Sequence, residues 1–215
     1  IGLNRAIVKQ GLKILKRRTN LGLKTLYDLC KIESSPTAFD LGFKLGPRIN
    51  AGGRVGKSSD GAELLISNDP QKTYQIAIGL EKYNTERKSI EMSLFDEVDL
   101  EAKKFHNHPV LVIPGKNWHE GVIGIVASRI KDKYNKPTII ISINENKGKG
   151  SARSIIGFDI GAQIIKAVHL KILDKGGGHK MAGGFSISDD KIPIFRDLLI
   201  KNFEKFNIFL KKDKN

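Results

Sequence analysis

Two glycine-rich stretches carry the residues with most chemical potential: Gly148-Lys-Gly-Ser-Ala-Arg-Ser154 and Gly176-Gly-Gly-His-Lys-Met-Ala-Gly-Gly184. Glycine lets a backbone approach a ligand closely and reach conformations that side chains forbid. Backbone N–H groups exposed on such segments form concavities for anions. Ser151, Arg153 and His179 add directed donors, and an arginine fork matches a phosphate with two parallel hydrogen bonds. Gly176, Gly177, Gly178 and His179 together read as a phosphate cradle; a tight turn is the alternative for either stretch taken alone.

A third cluster is Pro47-Arg-Ile-Asn-Ala-Gly-Gly-Arg54, flanked by Gly46 and Gly56. Arg48, Asn50 and Arg54 are candidates for gripping phosphate in a loop whose glycines admit a ligand. Spacing equally allows Arg48 to pair with an acidic residue at a helix end. A fourth is Asn117-Trp-His-Glu-Gly-Val-Ile-Gly124, at a strand-to-helix turn where helical N–H groups attract anions. There Trp118 either stacks on a base or packs in the core, and His119 either donates to phosphate or caps the helix.

No hydrolytic centre is evident. A two-metal phosphodiesterase needs clustered carboxylates and histidines. Here His106, His108, His119, His169 and His179 are scattered, and no His-Glu-x-x-His occurs. His106 and His108 flank Asn107 before a proline and suit a solvated turn better than a metal site. No metal ligand set is expected in this chain.

The 215 residues include 37 Lys+Arg against 23 Asp+Glu, a net charge of +14. Such a surplus favours a polyanion, because phosphate contacts release condensed counterions. Cys30 is the single cysteine, which excludes an internal disulfide framework and fits a reducing compartment. No run approaches the roughly 20 apolar residues of a membrane span. The start, Ile1-Gly-Leu-Asn-Arg5, lacks both a methionine and a signal peptide's apolar core, and is expected to continue a longer chain.

The positioning elements follow from periodicity. Arg5 to Lys24 holds seven basic residues and no acidic one, and reads as a basic amphipathic helix ending near Thr19-Asn20. Leu23–Ile32 and Gly61–Ser67 read as short helices, with a loop region between that includes 47–54. Asp69-Pro70 opens a helix that meets no proline before about Phe105, roughly 50 Å at 1.5 Å per residue. Beyond it, strands are predicted at Val110–Ile113, Thr138–Ile143, Gly148–Ser154 and Met181–Ile187. Helices are predicted at Gly121–Tyr134, from the Asp159 cap through Val168, and from Asp189 to about Lys211, with Lys211–Asn215 frayed. Strands alternating with helices make an α/β lobe.

Taken in order, Leu45–Arg54, Trp118-His-Glu-Gly-Val-Ile-Gly-Ile-Val-Ala-Ser-Arg129 and the two glycine-rich stretches resemble the C-terminal half of the RecJ family. These are bacterial single-strand-specific 5′→3′ DNA exonucleases of the DHH phosphoesterase superfamily. The resemblance covers nearly the whole chain. It implies an α/β fold: a helical end of the catalytic DHH lobe (1–67), a connecting helix (68–106), a mixed-sheet DHH-associated domain (107–208) and a basic tail (209–215). It further implies that Ser151 and Arg153 hold the 5′ phosphate. Arg48 would approach the active-site phosphates, while His179 and its glycines face the metal site across a cleft. The Mn²⁺ or Mg²⁺ ions of the intact enzyme would be bound by an absent DHH lobe, supplied in cis or in trans. That lobe and single-stranded DNA are the implied partners, in a bacterial cytoplasm, and an apolar surface is expected where the lobe packs. A non-catalytic single-strand-binding module, or a DHH phosphodiesterase of short oligonucleotides or cyclic dinucleotides, are the alternatives.

Overall fold

The structure, a computed structural model, describes residues 2–212, and the chain divides into two units at Ser89/Ile90. In the first unit, Leu26, Tyr27, Ile32, Leu45, Leu64, Ala77 and Leu80 form a buried core. Helices α1 (Leu3–Leu15) and α2 (Leu21–Leu29) precede a π-helical turn, Asp40–Leu45. Then come single turns α3 (Gly46–Ile49) and α4 (Gly52–Val55), helix α5 (Asp60–Ile66), and the beginning of α6 (Pro70–Lys104).

Two expectations change here. The basic helix ends at Leu15, earlier than the expected Thr19-Asn20, and the second helix starts at Leu21 rather than Leu23. Asn20 accepts a hydrogen bond from Leu23 N at 2.9 Å, so it starts α2 rather than ending α1. Its amide also donates to Leu65 O at 2.8 Å. The region 47–54 is not an open loop but helical turns, initiated by Pro47, whose fixed φ suits a first turn. Its glycines serve packing. A Cβ at Gly52 would stand 2.4 Å from Lys57 O, and one at Gly56 would enter the Tyr83 ring at 2.4 Å.

Helix α6 opens as its sequence predicts: the Asp69 carboxylate accepts from Gln71 N at 2.9 Å and from Lys72 N at 3.2 Å. At 35 residues it is about 52 Å long. Its portion from Ile90 onward belongs to the second unit, where Asp99 meets Tyr134 Oη at 3.0 Å and Lys133 at 2.7 Å. Arg129 there lies over the Phe95 ring at 4.1 Å.

The second unit is built on a five-stranded sheet of order β1-β2-β3-β5-β4. Strands β1 (Leu111–Lys116) and β2 (Thr138–Asn144) are parallel. Strands β3 (Lys147–Arg153), β5 (Ala182–Ser188) and β4 (Lys175–His179) continue antiparallel. Helix α7 (Glu120–Tyr134) follows β1, and α8 (Ile160–His169) precedes β4 with Asp159 capping Ala162 N at 2.9 Å. A short 3₁₀ turn, Asp189–Lys191, leads into α9 (Ile192–Lys212). Val112, Ile139, Ile141, Ala152, Phe185 and Ile187 face α8 and α9 in one apolar core. Their neighbours along the strands face the α7 side, because successive strand residues point to opposite faces.

Strand β4 is the element that sequence pattern did not reveal. Gly176–His179, expected to form a cradle loop, is instead the sheet's edge strand, paired with β5 through a Lys180-Met181 turn. Glycine has poor strand propensity, which hides the strand from pattern reading. Close packing requires it: a Cβ at Gly178 would stand 2.4 Å from Ala182 O, and one at Gly161 of α8 would stand 2.9 Å from His179 N. Residues 213–215 of the tail lie outside the described residues.

The first unit also carries an acid-sensitive anchor. Asp40 is held to about 2, below its ordinary 3.8, first by the hydrogen bond from Lys44 and then by those from Thr37. Lys44 Nζ is 2.8 Å away, and Thr37 donates from N and Oγ1 at 3.0 and 2.7 Å. A carboxyl with a depressed folded pKa adds stability that is present above about pH 4 and lost as pH falls toward 2. Asp40→Asn is therefore expected to flatten the fall in unfolding midpoint between pH 4 and pH 2. A pH series of thermal melts that is identical for both proteins would contradict this.

Candidate functional site

Strand register sets the site. On the α7 side of the sheet, β3 presents Lys149, Ser151 and Arg153, while Gly148, Gly150 and Ala152 point the other way. Across β5 and β4 these extend into three rungs: Lys149–Ser186–Lys175, Ser151–Gly184–Gly177 and Arg153–Ala182–His179. The middle rung is nearly bare. A Cβ at Gly177 would meet nothing within 4 Å, and one at Gly184 only Gly150 O at 3.7 Å. A serine, an arginine, a histidine and two lysines thus surround a floor of exposed backbone.

Helix α7 walls one side, and Gly124 permits its approach: a Cβ there would stand 2.9 Å from Ser151 Oγ and 3.0 Å from Arg153 Nη2. Arg153 Nη1 also donates to Ala152 O at 2.8 Å and to Ser151 Oγ at 3.2 Å, so its guanidinium lies along β3 rather than trailing in solvent. His179 is exposed at the hairpin end, and its Nδ1 accepts from Met181 N at 3.3 Å. That bond leaves Nε2 as the donor of the neutral ring. The N-terminus of α7 contributes a positive dipole end at the same wall.

Of the predicted residues, Ser151, Arg153, Gly177 and His179 come together on this face. Gly176 and Gly178 are on the opposite register: a Cβ at Gly176 would stand 2.7 Å from Ile164 Cγ2, so its smallness admits α8, while its backbone lines the groove beside Lys175. Trp118 requires correction as a stacking platform. It is 8% exposed, its ring occupies the space where Gly115 would carry a Cβ, at 2.1 Å, and its carbonyl accepts from Ser142 Oγ at 2.6 Å. His119 caps α7, its Nδ1 accepting from Gly121 N at 3.2 Å.

Arg48, Asn50 and Arg54 belong to the first unit. Arg48 forms a fork-to-fork ion pair with Glu81 of α6, Nη2 to Oε1 at 3.1 Å, and Nη1 donates to Lys44 O at 2.8 Å. Pairing with an acidic helix residue, one of the two readings open from sequence, is the one seen. Asn50 is exposed at the end of α3, and Arg54 is exposed on α4. Cys30 is half-buried, and burial raises its thiol pKa, as suits a packing residue rather than a nucleophile.

Lys149, Lys175, Ser186 and Glu120 are residues of the face that motif reading missed. A period-two scan of Lys147-Gly-Lys-Gly-Ser-Ala-Arg153 finds the lysines, since every second residue is polar and every other one small. No such signal marks Lys175, whose place depends on the hairpin.

Mn²⁺ or Mg²⁺ does not fit the residues present: among the described residues no group of three or more His, Cys, Asp or Glu could hold a metal ion. His106 Nδ1 lies 3.0 Å from Lys103 O, and the His108 ring packs on Phe105 at 5.4 Å, both at the end of α6. No helix among the described residues is long and apolar enough to cross a membrane.

Comparison with known proteins agrees with this geometry. Residues 107–205 match the DHHA1 domain. The single-stranded-DNA-specific exonuclease RecJ of Haemophilus influenzae is 37% identical over 210 residues, which is 91% of this chain and 36% of that protein. The RecJ of Bacillus subtilis is 34% identical over 91% of this chain and 25% of its own length. The crystal structure of RecJ in complex with Mn²⁺ from Thermus thermophilus superposes with a TM-score of 0.85 at 27% identity, over 95% of this chain and 30% of that one. The chain thus spans between a quarter and just over a third of the RecJ relatives it matches.

The two faces of the sheet separate experimentally. Gly177→Ala places a methyl on the bare floor without a clash, and is expected to leave the melting temperature unchanged while weakening anion binding. Gly183→Ala would drive a Cβ to 2.8 Å from Gly177 O, and is expected to lower stability by about 1–3 kcal/mol. Thermal melts and phosphate-ligand titrations of both variants check this; loss of stability in Gly177→Ala would contradict it.

Proposed function

We propose that this chain is a RecJ-type segment containing a DHHA1 domain, and that it holds the substrate of a single-stranded-DNA 5′→3′ exonuclease. One observation carries the reading: Ser151, Arg153 and His179 converge on one bare patch of sheet backbone beside the α7 N-terminus. The patch combines a planar cationic fork, a hydroxyl, a ring N–H donor and a helix-end dipole, donors suited to a terminal phosphate. The absence of side chains at Gly177 and Gly184 lets the sugar-phosphate chain lie against the strand.

The hydrolytic step itself belongs to residues outside this chain. The divalent ions of the intact enzyme, Mn²⁺ or Mg²⁺, would supply the activated water and would be held by a DHH lobe acting in cis or in trans. This segment contributes position: a strand gripped by its end presents its first diester at a fixed distance, which lowers the entropic part of the barrier. Helix α1 supports the presence of that second lobe, since none of its residues is buried and Ile7 is 60% exposed. The host process is DNA repair and recombination in the bacterial cytoplasm.

A non-catalytic single-strand-binding module is the second reading, favoured by the +14 charge and the missing metal cluster among the described residues. Binding assays on this chain with fluorescent single-stranded DNA, with and without a 5′ phosphate, distinguish the two. End-holding predicts preference for the phosphorylated strand, and Arg153→Ala is expected to remove that preference with an affinity loss of about 10-fold or more, as loss of a charge-assisted pair implies. Equal affinity for both ends, or an Arg153→Ala variant that binds like the parent, would overturn end-holding in favour of the module.

A further inference from the structure

The concavity on the bare face is not centred on Arg153 and His179. It is lined by Lys149, Ser151, Lys175, Gly184, Ser186 and Glu120 and holds about 490 Å³. Its centre therefore lies between the first and second rungs, on the far side of Ser151 from the arginine. Lys149 and Lys175 stand on one rung, two strands and about 10 Å apart at the backbone, with Ser186 between them. Both are exposed, and their long stems allow both ammonium groups to converge over the serine. Arg153 is four residues further along β3, roughly 13 Å away. A short extended oligonucleotide covers that span.

We propose that this groove is a second anion subsite, taking an internal phosphodiester of the same strand whose terminal phosphate sits at Ser151, Arg153 and His179. The inference rests on the strand-holding reading above and adds to it where the next charge is bound. Charge balance distinguishes the two places. Lys149 and Lys175 face one carboxylate, Glu120, which leaves the groove near +1, the complement of a monoanionic diester. A terminal phosphate carries about −1.5 to −2 at neutral pH and is better matched by the arginine fork. Ser186 adds a neutral donor, and the exposed backbone of Gly184 avoids a steric barrier between the two places.

The test uses the 215-residue chain and two probes: a 5′-phosphorylated thymidine oligonucleotide of roughly 8 nucleotides, and thymidine 5′-monophosphate as competitor. In the Lys149→Gln/Lys175→Gln variant, the oligonucleotide is expected to bind more weakly. The slope of log affinity against log salt should become shallower by about 0.7, the value for one neutralised phosphate on a single strand. Competition by the mononucleotide should be unchanged, as should binding in a Lys201→Gln control on α9. Glu120→Gln is expected to tighten oligonucleotide binding, a gain that misfolding cannot imitate. An unaltered salt slope with no gain in Glu120→Gln overturns the subsite, and so does an equal loss for the mononucleotide, which would place the lysines at the terminal phosphate. Failure of the parent chain to bind any strand would instead remove the strand-holding reading, and the subsite with it.

Discussion

Everything at the candidate site depends on how closely helices and strands approach the backbone of β3, β5 and β4. Alternation along a strand sends successive Cβ atoms to opposite faces, so a run of small residues thins both faces at once. On one face Gly176 and Gly183 make room for Ile164 of α8, and Gly178 for the carbonyl of Ala182. On the other, Gly177 and Gly184 leave the backbone uncovered. The glycines are therefore of two kinds, and adjacent residues in one motif differ in what a methyl group would do. The apolar face holds the sheet in place; the bare one is what a ligand meets.

This arrangement explains why the polar side chains of the site are few and close to main chain. Arg153 is oriented by bonds to Ala152 O and Ser151 Oγ, and Gly124 brings α7 against both residues. Such restraint reduces the rotamer entropy that an arginine loses on gripping an anion. His179 is similarly held by Met181 N across the hairpin end. In the first unit the same economy appears in a different form. The Arg48–Glu81 pair ties a glycine-rich turn to α6, and the close contacts at Gly52 and Gly56 fill the space beneath it.

The place where chemistry and packing diverge is the strand-to-helix turn at 117–121. Trp118 and His119 are residue types common in nucleic-acid sites, yet the indole is sealed under Gly115 and the imidazole is committed to capping. Residue type alone does not distinguish these uses, because a buried indole and a stacking one need the same ring. What decides is whether another backbone approaches to cover it, and at Gly115 one does.

Local rules were legible in the sequence. The Asp69-Pro70 start of α6, the Asp159 cap, the apolar run of β2 and the proline-free run that continues a 35-residue helix are each set by neighbours within a few positions. So was the similarity to the RecJ exonucleases, because motif order survives without knowledge of the fold. Only tertiary structure decided the rest. Strand β4 has almost no propensity of its own and exists because β5 pairs with it. Lys175 joins Lys149 through a register spanning 26 positions of chain, and which face a side chain at Gly176 or Gly177 would enter rests on that same register. Hydrogen bonds across strands couple residues distant in sequence, and the face on which a side chain emerges changes with a one-residue slip, a distinction local composition does not contain.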